Sequence, residues 1–206
     1  MKVLDCLKND VIKIMDNDTA HDFDHVMRVY KNAQKITKKE KANKKLVLSA
    51  VLLHDIVSYP KSSKRSKSSS IESAKKSKLI LKKYNFTTEE INIISGAIAD
   101  HSFSQNKTPQ TLEGKILQDA DRLDALGAIG IARVFATSGS LNRSFYNTDD
   151  PFCTKRNPND DRWAIDHFFK KLLKLEFTMN TKSGKIEAKK RTKVLKIFLK
   201  QLKDEI

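Results

Sequence analysis

Two side chains that can bind a metal ion lie side by side near the end of an apolar run, 48–56, of this chain. They are His54 and Asp55, and burying them is costly unless a partner satisfies them there. On a helix, adjacent residues point about 100° apart, so both could reach one cavity and bind one cation through nitrogen and oxygen. Taken alone, the pair is explained equally well as the end of a core helix whose side chains bond to the backbone.

Two further residues extend this set. His25 and Asp121 also interrupt apolar helical patterns. Two imidazoles and two carboxylates form a mixed set of nitrogen and oxygen ligands. Such a set is more typical of a site for Mn²⁺, Mg²⁺, Ni²⁺, Co²⁺ or Fe²⁺ than of a structural zinc site. Asp119, Asp121 and Asp124 do not form a calcium loop, because glycine is absent at the sixth loop position and the flanks are helical.

His21 and His25 imitate the two histidines of an H-E-x-x-H metalloprotease. The position of the general-base glutamate holds an aspartate, whose shorter side chain reaches a zinc-bound water poorly, and no third ligand follows in the usual pattern. We therefore reject the protease interpretation. His21 is expected at the mouth of the metal site or at the start of a helix without a role.

The elements that must position these residues are predicted to be helices. Glycine and proline are few, 6 and 4 in 206 residues, apolar residues recur at helical spacing, and strand alternation and internal repeats are absent. Loops are predicted at 58–70, 103–110 and 138–162, the last of them a candidate lid. Helices are predicted at about 1–16, 19–37, from 44 through the apolar run, 71–84, 88–100, 115–135, 163–175 and 189–202.

The formal charge of +15 is the strongest compositional signal. Its lysines concentrate in 61–83 and 170–203, and such an excess attracts nucleotides, nucleic acid or anionic lipid. The alternative is that lysines merely decorate solvated helix faces. No apolar run approaches the roughly 18 residues that span a bilayer, and the N-terminus lacks a signal-peptide core. Cys6 and Cys153 are expected to be free thiols, so we expect a cytoplasmic protein without a membrane partner.

The motifs around these residues resemble the HD-domain metal-dependent phosphohydrolase superfamily, whose pattern is H…HD…D on a helical bundle. His25 has the H-x-x-R-V context of the family, His54 and Asp55 have L-L-H-D, and Asp121 has A-D-R-L. Over about residues 18–200 the chain is similar to the bacterial YedJ/YpgQ-type subgroup. The further motifs that carry this likeness are Asp100-His101-Ser102, residues 120–130, Asp166-His167-Phe168, Lys171-Leu172-Leu173 and Thr181-x-x-Gly184.

The resemblance implies an all-α, HD-domain helical bundle with a C-terminal helical extension. We expect one domain over 1–206, with a core at about 18–136 and a helical C-terminal part at about 137–206. The implied metal ligands are His25, His54, Asp55 and Asp121, and Mn²⁺ is the first candidate ion. The implied activity is hydrolysis of nucleotides, of the nucleoside triphosphate pyrophosphohydrolase type, with Asp55 and His101 as catalytic candidates.

Four basic residues are candidates for binding the substrate. Arg28 follows His25 by three residues and Arg122 follows Asp121 directly, so each could meet phosphate or orient a ligand carboxylate. A structural salt bridge is an equal alternative for both arginines. Lys64 and Arg65 could grip a polyphosphate, or they could belong to a solvated loop.

Two other functions stay open on the sequence. The first is a phosphodiesterase acting on cyclic or oligomeric nucleotides, because substrate specificity lies in pocket shape and loops rather than in metal ligands. The second is a non-catalytic HD protein that binds nucleic acid through its basic helices, with an affinity that falls steeply with salt. The sequence predicts no oligomeric state.

Overall fold

The described part of the chain is helical. The computed structural model describes residues 2–15, 23–59 and 63–206, which contain no strand, only an isolated parallel bridge between Ser144 and Trp163. The predicted all-α class is confirmed. None of the described helices combines the length and apolarity needed to cross a bilayer. The α-helices are α1 (Lys2–Ile14), α2 (Phe23–Glu40), α3 (Lys44–Leu53), α4 (Ser69–Lys83), α5 (Thr88–Asp100), α6 (Leu112–Asp124), α7 (Gly127–Ser140), α8 (Leu173–Leu175) and α9 (Lys182–Glu205).

Several predicted boundaries differ from the structure. The helix predicted over 115–135 is divided into α6 and α7. The basic loop contains a 3₁₀ turn, Lys64–Ser68, which Ser63 caps by accepting a hydrogen bond from the backbone N–H of Arg65. The helix predicted from Trp163 begins later, at Asp166, and passes directly into a π-helical turn at Phe168–Leu172. α9 begins at Lys182, seven residues before the predicted start at 189.

The chain divides into two compact units. Unit 1 comprises Met1–Asp121 with Asn180–Ser183, and unit 2 comprises Arg122–Met179 with Gly184–Ile206. Unit 1 therefore recruits four residues from late in the sequence. The predicted single domain, with its division near residue 136, stays a prediction.

The core of unit 1 is built around α3. Each residue from Leu46 to Leu53 is at most 5% exposed, and α3 packs against α1, α2 and α5. A helix that is apolar on all sides must be buried on all sides. Asn43 caps this helix by accepting hydrogen bonds from the backbone N–H groups of Lys45 and Leu46. The predicted metal-binding pair thus follows directly on the most buried helix of unit 1.

Unit 2 has an aromatic core. Phe168 is fully buried, and its ring stacks on that of Phe198 with centroids 5.6 Å apart. Phe135 stacks on Phe145 at 4.6 Å. These four rings hold α7 and α9 against the polar connection that follows α7.

Candidate metal centre

Five side chains of unit 1 converge at the ends of its helices. The Nε2 atom of His25, in the first turn of α2, lies 3.4 Å from Oδ1 of Asp121 and 3.8 Å from Oδ2 of Asp55. His54 Nε2 lies 3.5 Å from the same Asp55 oxygen. His101 Nε2 lies 3.6 Å from the other Asp55 oxygen, Oδ1. The structure therefore brings together the four predicted ligands and the predicted catalytic histidine.

The spacing of these atoms fits metal ligation. One ligand atom from each of His25, His54 and Asp121 lies within 4.8 Å of the other two, and the same holds for His54, Asp55 and His101. Two atoms bound to one ion at about 2.1 Å lie about 3.0 Å apart at right angles and about 4.2 Å apart across the ion. The observed contacts of 3.4 to 3.8 Å lie inside that range and are longer than ordinary hydrogen bonds.

His54 carries the clearest sign of a ligand. It is fully buried, and its Nδ1 lies 2.7 Å from the carbonyl oxygen of Val51. A carbonyl can only accept, so Nδ1 carries the proton and the neutral ring keeps a lone pair on Nε2. Burial lowers the pKa of His54, against the raising effect of Asp55. Its Nε2 is buried without a hydrogen-bond partner among the described residues, and a metal ion would satisfy that atom.

His101 is oriented in the same way. Its Nδ1 donates to the carbonyl oxygen of Ile98 at 2.6 Å, which directs Nε2 toward Asp55. Burial by itself would lower the pKa of His101, but the Asp55 carboxylate outweighs that effect and raises it. Asp55 is thus shared, with one oxygen facing His25 and His54 and the other facing His101.

The carboxylates form the accessible side of the cluster. The side chains of Asp121 and Asp55 are 26% and 14% exposed, whereas that of His25 is 1% exposed. Burial would raise the pKa of Asp121, but the neighbouring imidazoles, His25 foremost, hold it well below its usual value. A ligand from solvent therefore reaches the cluster on its acidic side.

The four candidate substrate residues have different surroundings. Arg28 is half-buried on α2, and Lys64 is exposed in the 3₁₀ turn. Arg122 is 8% exposed and donates from Nη1 to the carbonyl oxygen of Thr178 at 2.5 Å, a contact within unit 2. His21, which we expected near the site, lies outside the described residues.

Arg65 takes part in a local cluster. Its Nη2 donates to the hydroxyl of Tyr59 at 2.5 Å and lies 3.4 Å from Oε2 of Glu72. These contacts hold the guanidinium at the base of α4. The same turn lies beside the loop that follows His101, because Gln105 donates from Nε2 to the carbonyl oxygen of Lys67 at 2.8 Å.

Two residues of α6 that the sequence did not single out, Gln118 and Asp119, precede Asp121 by three and two residues and are almost completely buried. Asp119 entered the sequence argument only as part of a rejected calcium pattern. A polar pair in an otherwise apolar helix, two and three residues before a predicted ligand, is the signal that could have found them.

Comparison with known proteins identifies relatives over almost the whole chain. The HD domain family matches residues 22–126, a range that contains all five residues of the cluster. The protein YpgQ of Bacillus subtilis is 34% identical over 199 residues, which cover 94% of this chain and 88% of YpgQ.

Solved structures agree with this likeness. The crystal structure of B. subtilis YpgQ in complex with ADP has a TM-score of 0.76 at 31% identity and covers 100% of this chain and 95% of that one. The crystal structure of an HD-superfamily hydrolase from Bacillus thuringiensis has a TM-score of 0.78 at 33% identity, with 99% and 96% coverage.

Proposed function

This chain belongs to the HD domain family, and from that premise we propose that it is a metal-dependent phosphohydrolase acting on nucleotides. The proposed reaction is release of pyrophosphate from a nucleoside triphosphate with Mn²⁺ bound. One observation carries this proposal: the convergence of His25, His54, Asp55 and Asp121, with a lone pair of His54 buried and directed at the other ligand atoms.

The donor set fits a divalent cation of the Mn²⁺ type. Imidazole nitrogens and carboxylate oxygens together favour Mn²⁺, Fe²⁺, Co²⁺ or Ni²⁺, and an all-oxygen set would favour Mg²⁺ or Ca²⁺. The chemistry that such an ion supplies is Lewis acidity toward a water molecule and a phosphoryl oxygen. His25, His54, Asp55 and Asp121 would hold the ion.

Other roles fall to residues around the ligands. His101 can hold or release a proton at Nε2, since its Nδ1 is committed to Ile98, and it is our candidate for proton transfer to the leaving group. The Asp55 carboxylate orients that imidazole from 3.6 Å. Arg28 and Lys64 are our candidates for neutralising substrate phosphates. Arg65 and Arg122 make the structural contacts described above, and we propose no direct contact of these two side chains with the substrate.

The choice of nucleotides as the substrate class draws on one relative. The related YpgQ was solved in complex with ADP, and its chain is similar to this one over the full length. The exposed lysines Lys64 and Lys67 beside the loop after His101 would suit a polyphosphate. A triphosphate offers them more charge than a monophosphate does.

The test is a panel of nucleoside mono-, di- and triphosphates, cyclic nucleotides and diesters with added Mn²⁺, in which phosphate and pyrophosphate release are measured separately. Asp55→Ala is assayed beside the wild type. Asp24→Ala is the matched control, because Asp24 is an exposed carboxylate next to His25 in sequence.

Pyrophosphate from triphosphates, lost in Asp55→Ala and kept in Asp24→Ala, is the expected result. Phosphate from monophosphates, or cleavage of cyclic nucleotides or diesters, would replace the proposed substrate while keeping the site. Absence of turnover with every nucleotide of the panel, both with Mn²⁺ and when Mg²⁺, Ni²⁺, Co²⁺ or Fe²⁺ replaces it, would refute the enzymatic proposal.

A second candidate function, nucleic-acid binding, is favoured by one surface of α9. Seven exposed lysines recur every three or four residues along this helix and therefore share a face. The test is titration of a single-stranded oligonucleotide at increasing salt. Binding by this face predicts an affinity that falls steeply with salt, is unaffected by Asp55→Ala and is lost when three of the lysines are changed to glutamate. The seven lysines are Lys182, Lys185, Lys189, Lys193, Lys196, Lys200 and Lys203.

A further inference from the structure

A buried polar network joins α6 to two other segments of unit 1. Gln118 is 1% exposed and Asp119 is 0% exposed. Buried polar groups of this kind are retained only where they are satisfied by hydrogen bonds. Their partners lie at the end of α5, in the loop after it, and in the residues just before α9.

Asp119 binds the segment before α9 through both carboxylate oxygens. Its Oδ1 accepts hydrogen bonds from the backbone N–H of Asn180 at 2.8 Å and from its side-chain Nδ2 at 2.9 Å. Its Oδ2 accepts from the backbone N–H of Thr181 at 2.8 Å and from its Oγ1 at 2.7 Å. Four bonds to one carboxylate in a buried position form a strong and rigid connection.

Gln118 extends the network to the loop that carries His101. Its Nε2 donates to the carbonyl oxygens of Asp100 at 3.0 Å and Lys107 at 2.9 Å. Its Oε1 accepts from Nδ2 of Asn180 at 3.0 Å. Asn180 therefore contacts both Gln118 and Asp119, and Gln118 fixes the residue directly before His101.

The same segment also reaches α2. The backbone N–H of Ser183 donates to Oε1 of Glu40 at 2.8 Å, and Glu40 is the last residue of the helix whose first turn carries His25. The stretch 180–183 therefore bonds to both of the helices that supply His25 and Asp121.

The directions of the side chains on α6 relate the hydrogen bonds of Gln118 and Asp119 to the predicted metal ligand Asp121. Asp119 and Asp121 are two residues apart and point about 200° apart on α6, whereas Gln118 and Asp121 are three apart and share a face. Asp119 thus holds the rear of α6 while Asp121 faces the cluster. A shift of α6 would move Asp121 directly.

We propose that Asn180 and Thr181 are positioning residues of the metal centre, because their bonds to Asp119 and Gln118 set the places of Asp121 and His101. This inference rests on the proposed function. Both residues lie outside the range 22–126 that matches the HD domain family, so they would be a contribution of the C-terminal part of the chain to the site. Loss of a partner that orients a ligand typically lowers metal affinity or activity about 10- to 100-fold.

Three substitutions test the role of this segment. Thr181→Val keeps the shape and removes the hydroxyl donor, and Thr181→Ser keeps the hydroxyl. Asn180→Asp keeps the shape but replaces the amide donor with a second carboxylate beside Asp119. The readouts are Mn²⁺ affinity of the metal-stripped protein by titration calorimetry, and kcat and KM measured separately.

We expect Thr181→Val and Asn180→Asp to weaken Mn²⁺ binding about 10-fold or more and to lower kcat, with KM for the nucleotide little changed. Thr181→Ser should stay within about threefold of the wild type, since the bond to Asp119 is kept. Circular dichroism establishes that each variant is folded; if Asn180→Asp is not, Thr181→Val decides the question.

Tyr84→Phe is the matched control. It removes one hydrogen bond of unit 1, from the Tyr84 hydroxyl to Oδ2 of Asp10 at 2.7 Å, between residues that are not part of the metal cluster. It should lower stability and leave Mn²⁺ affinity unchanged. If Thr181→Val and Asn180→Asp are destabilised yet bind Mn²⁺ as the wild type does, the residues are only structural and the inference is overturned. If the wild type itself neither binds Mn²⁺ nor turns over nucleotides, the proposed function fails and this inference with it.

Discussion

Arg156 should be among the residues of unit 2 whose loss costs most stability. The carboxylate of Asp166 is 0% exposed and accepts from Nη1 and Nη2 of Arg156 at 2.5 and 2.8 Å. It also accepts from the backbone N–H of Asn159 at 2.6 Å. Arg156→Ala removes the two charge-assisted bonds and leaves a buried carboxylate with the Asn159 amide and the Cys153 thiol as its remaining partners.

The magnitude follows from this geometry. Truncating one partner of a buried ion pair costs about 3–5 kcal/mol. Because the Arg156 side chain is 21% exposed, water can reach part of the gap, and we expect the lower end, about 3 kcal/mol. For a chain of this size that corresponds to a fall in Tm of about 6–12 °C.

The pH dependence has a definite sign. Burial by itself would raise the pKa of Asp166, but the hydrogen bonds from Arg156 and Asn159 outweigh it and lower the pKa. The pair therefore stabilises the wild type fully above the unfolded-state pKa, about 3.9, and this contribution is lost as the pH falls through the lower folded-state value. In Arg156→Ala the burial of Asp166 is no longer outweighed by the guanidinium, so we expect the folded-state pKa of Asp166 to rise. The cost of the substitution should then shrink as the pH falls through that raised pKa toward the lower pKa of the wild type.

The assay is urea unfolding at pH 7 and at several acidic pH values. Arg162→Ala is the matched control, because the guanidinium of Arg162 lies over the ring of Trp163 at 4.8 Å as that of Arg156 does at 4.4 Å. Loss of that exposed contact should cost about 0.5–1 kcal/mol. Equal costs for the two substitutions, or a cost of Arg156→Ala that does not change with pH, would refute the reasoning.

Three other variants have expected outcomes. His54→Ala should weaken Mn²⁺ binding by more than about 100-fold, since a ligand itself is lost. The electron paramagnetic resonance signal of free Mn²⁺ measures this affinity. Unchanged binding would exclude His54 as a ligand. Lys64→Ala with Lys67→Ala should raise KM for a triphosphate about tenfold at unchanged kcat, and a fall in kcat alone would contradict a role in binding. Tyr84→Phe should cost about 1 kcal/mol in urea unfolding at pH 7. The hydrogen bond to Asp10 raises the pKa of Tyr84 to about 12, so the wild type should lose that advantage as the pH rises above about 10, and the variant should not.

Local patterns predicted much of the fold. α3 was found because it is apolar on every side, and α5 was predicted to begin at about residue 88, where the structure shows a capping box between Thr87 and Glu90. The sequence also placed His54 and Asp55 at the end of a buried helix. Their role as ligands stays a prediction, although the structure brings them to His25 and Asp121.

Contacts between distant residues were beyond such patterns. Asp119 and Asn180 are 61 positions apart in the chain, and no spacing rule connects them. The late start of the helix after Trp163 has a similar cause, because Asp166, where this helix begins, accepts hydrogen bonds from Asn159 and Arg156 of the preceding polar segment, and helical periodicity does not register such bonds. Arg65 was assigned to phosphate from its charge alone, whereas its partners Tyr59 and Glu72 became visible only in three dimensions.

The most direct test of the central proposal is a titration of metal-stripped protein with Mn²⁺ in which bound metal and triphosphate turnover are recorded on the same samples, with Asp55→Ala beside the wild type. The proposed site predicts that turnover is absent without metal, rises in proportion to bound Mn²⁺ and is lost in Asp55→Ala. Turnover in the metal-free protein, or full turnover in Asp55→Ala, would contradict it.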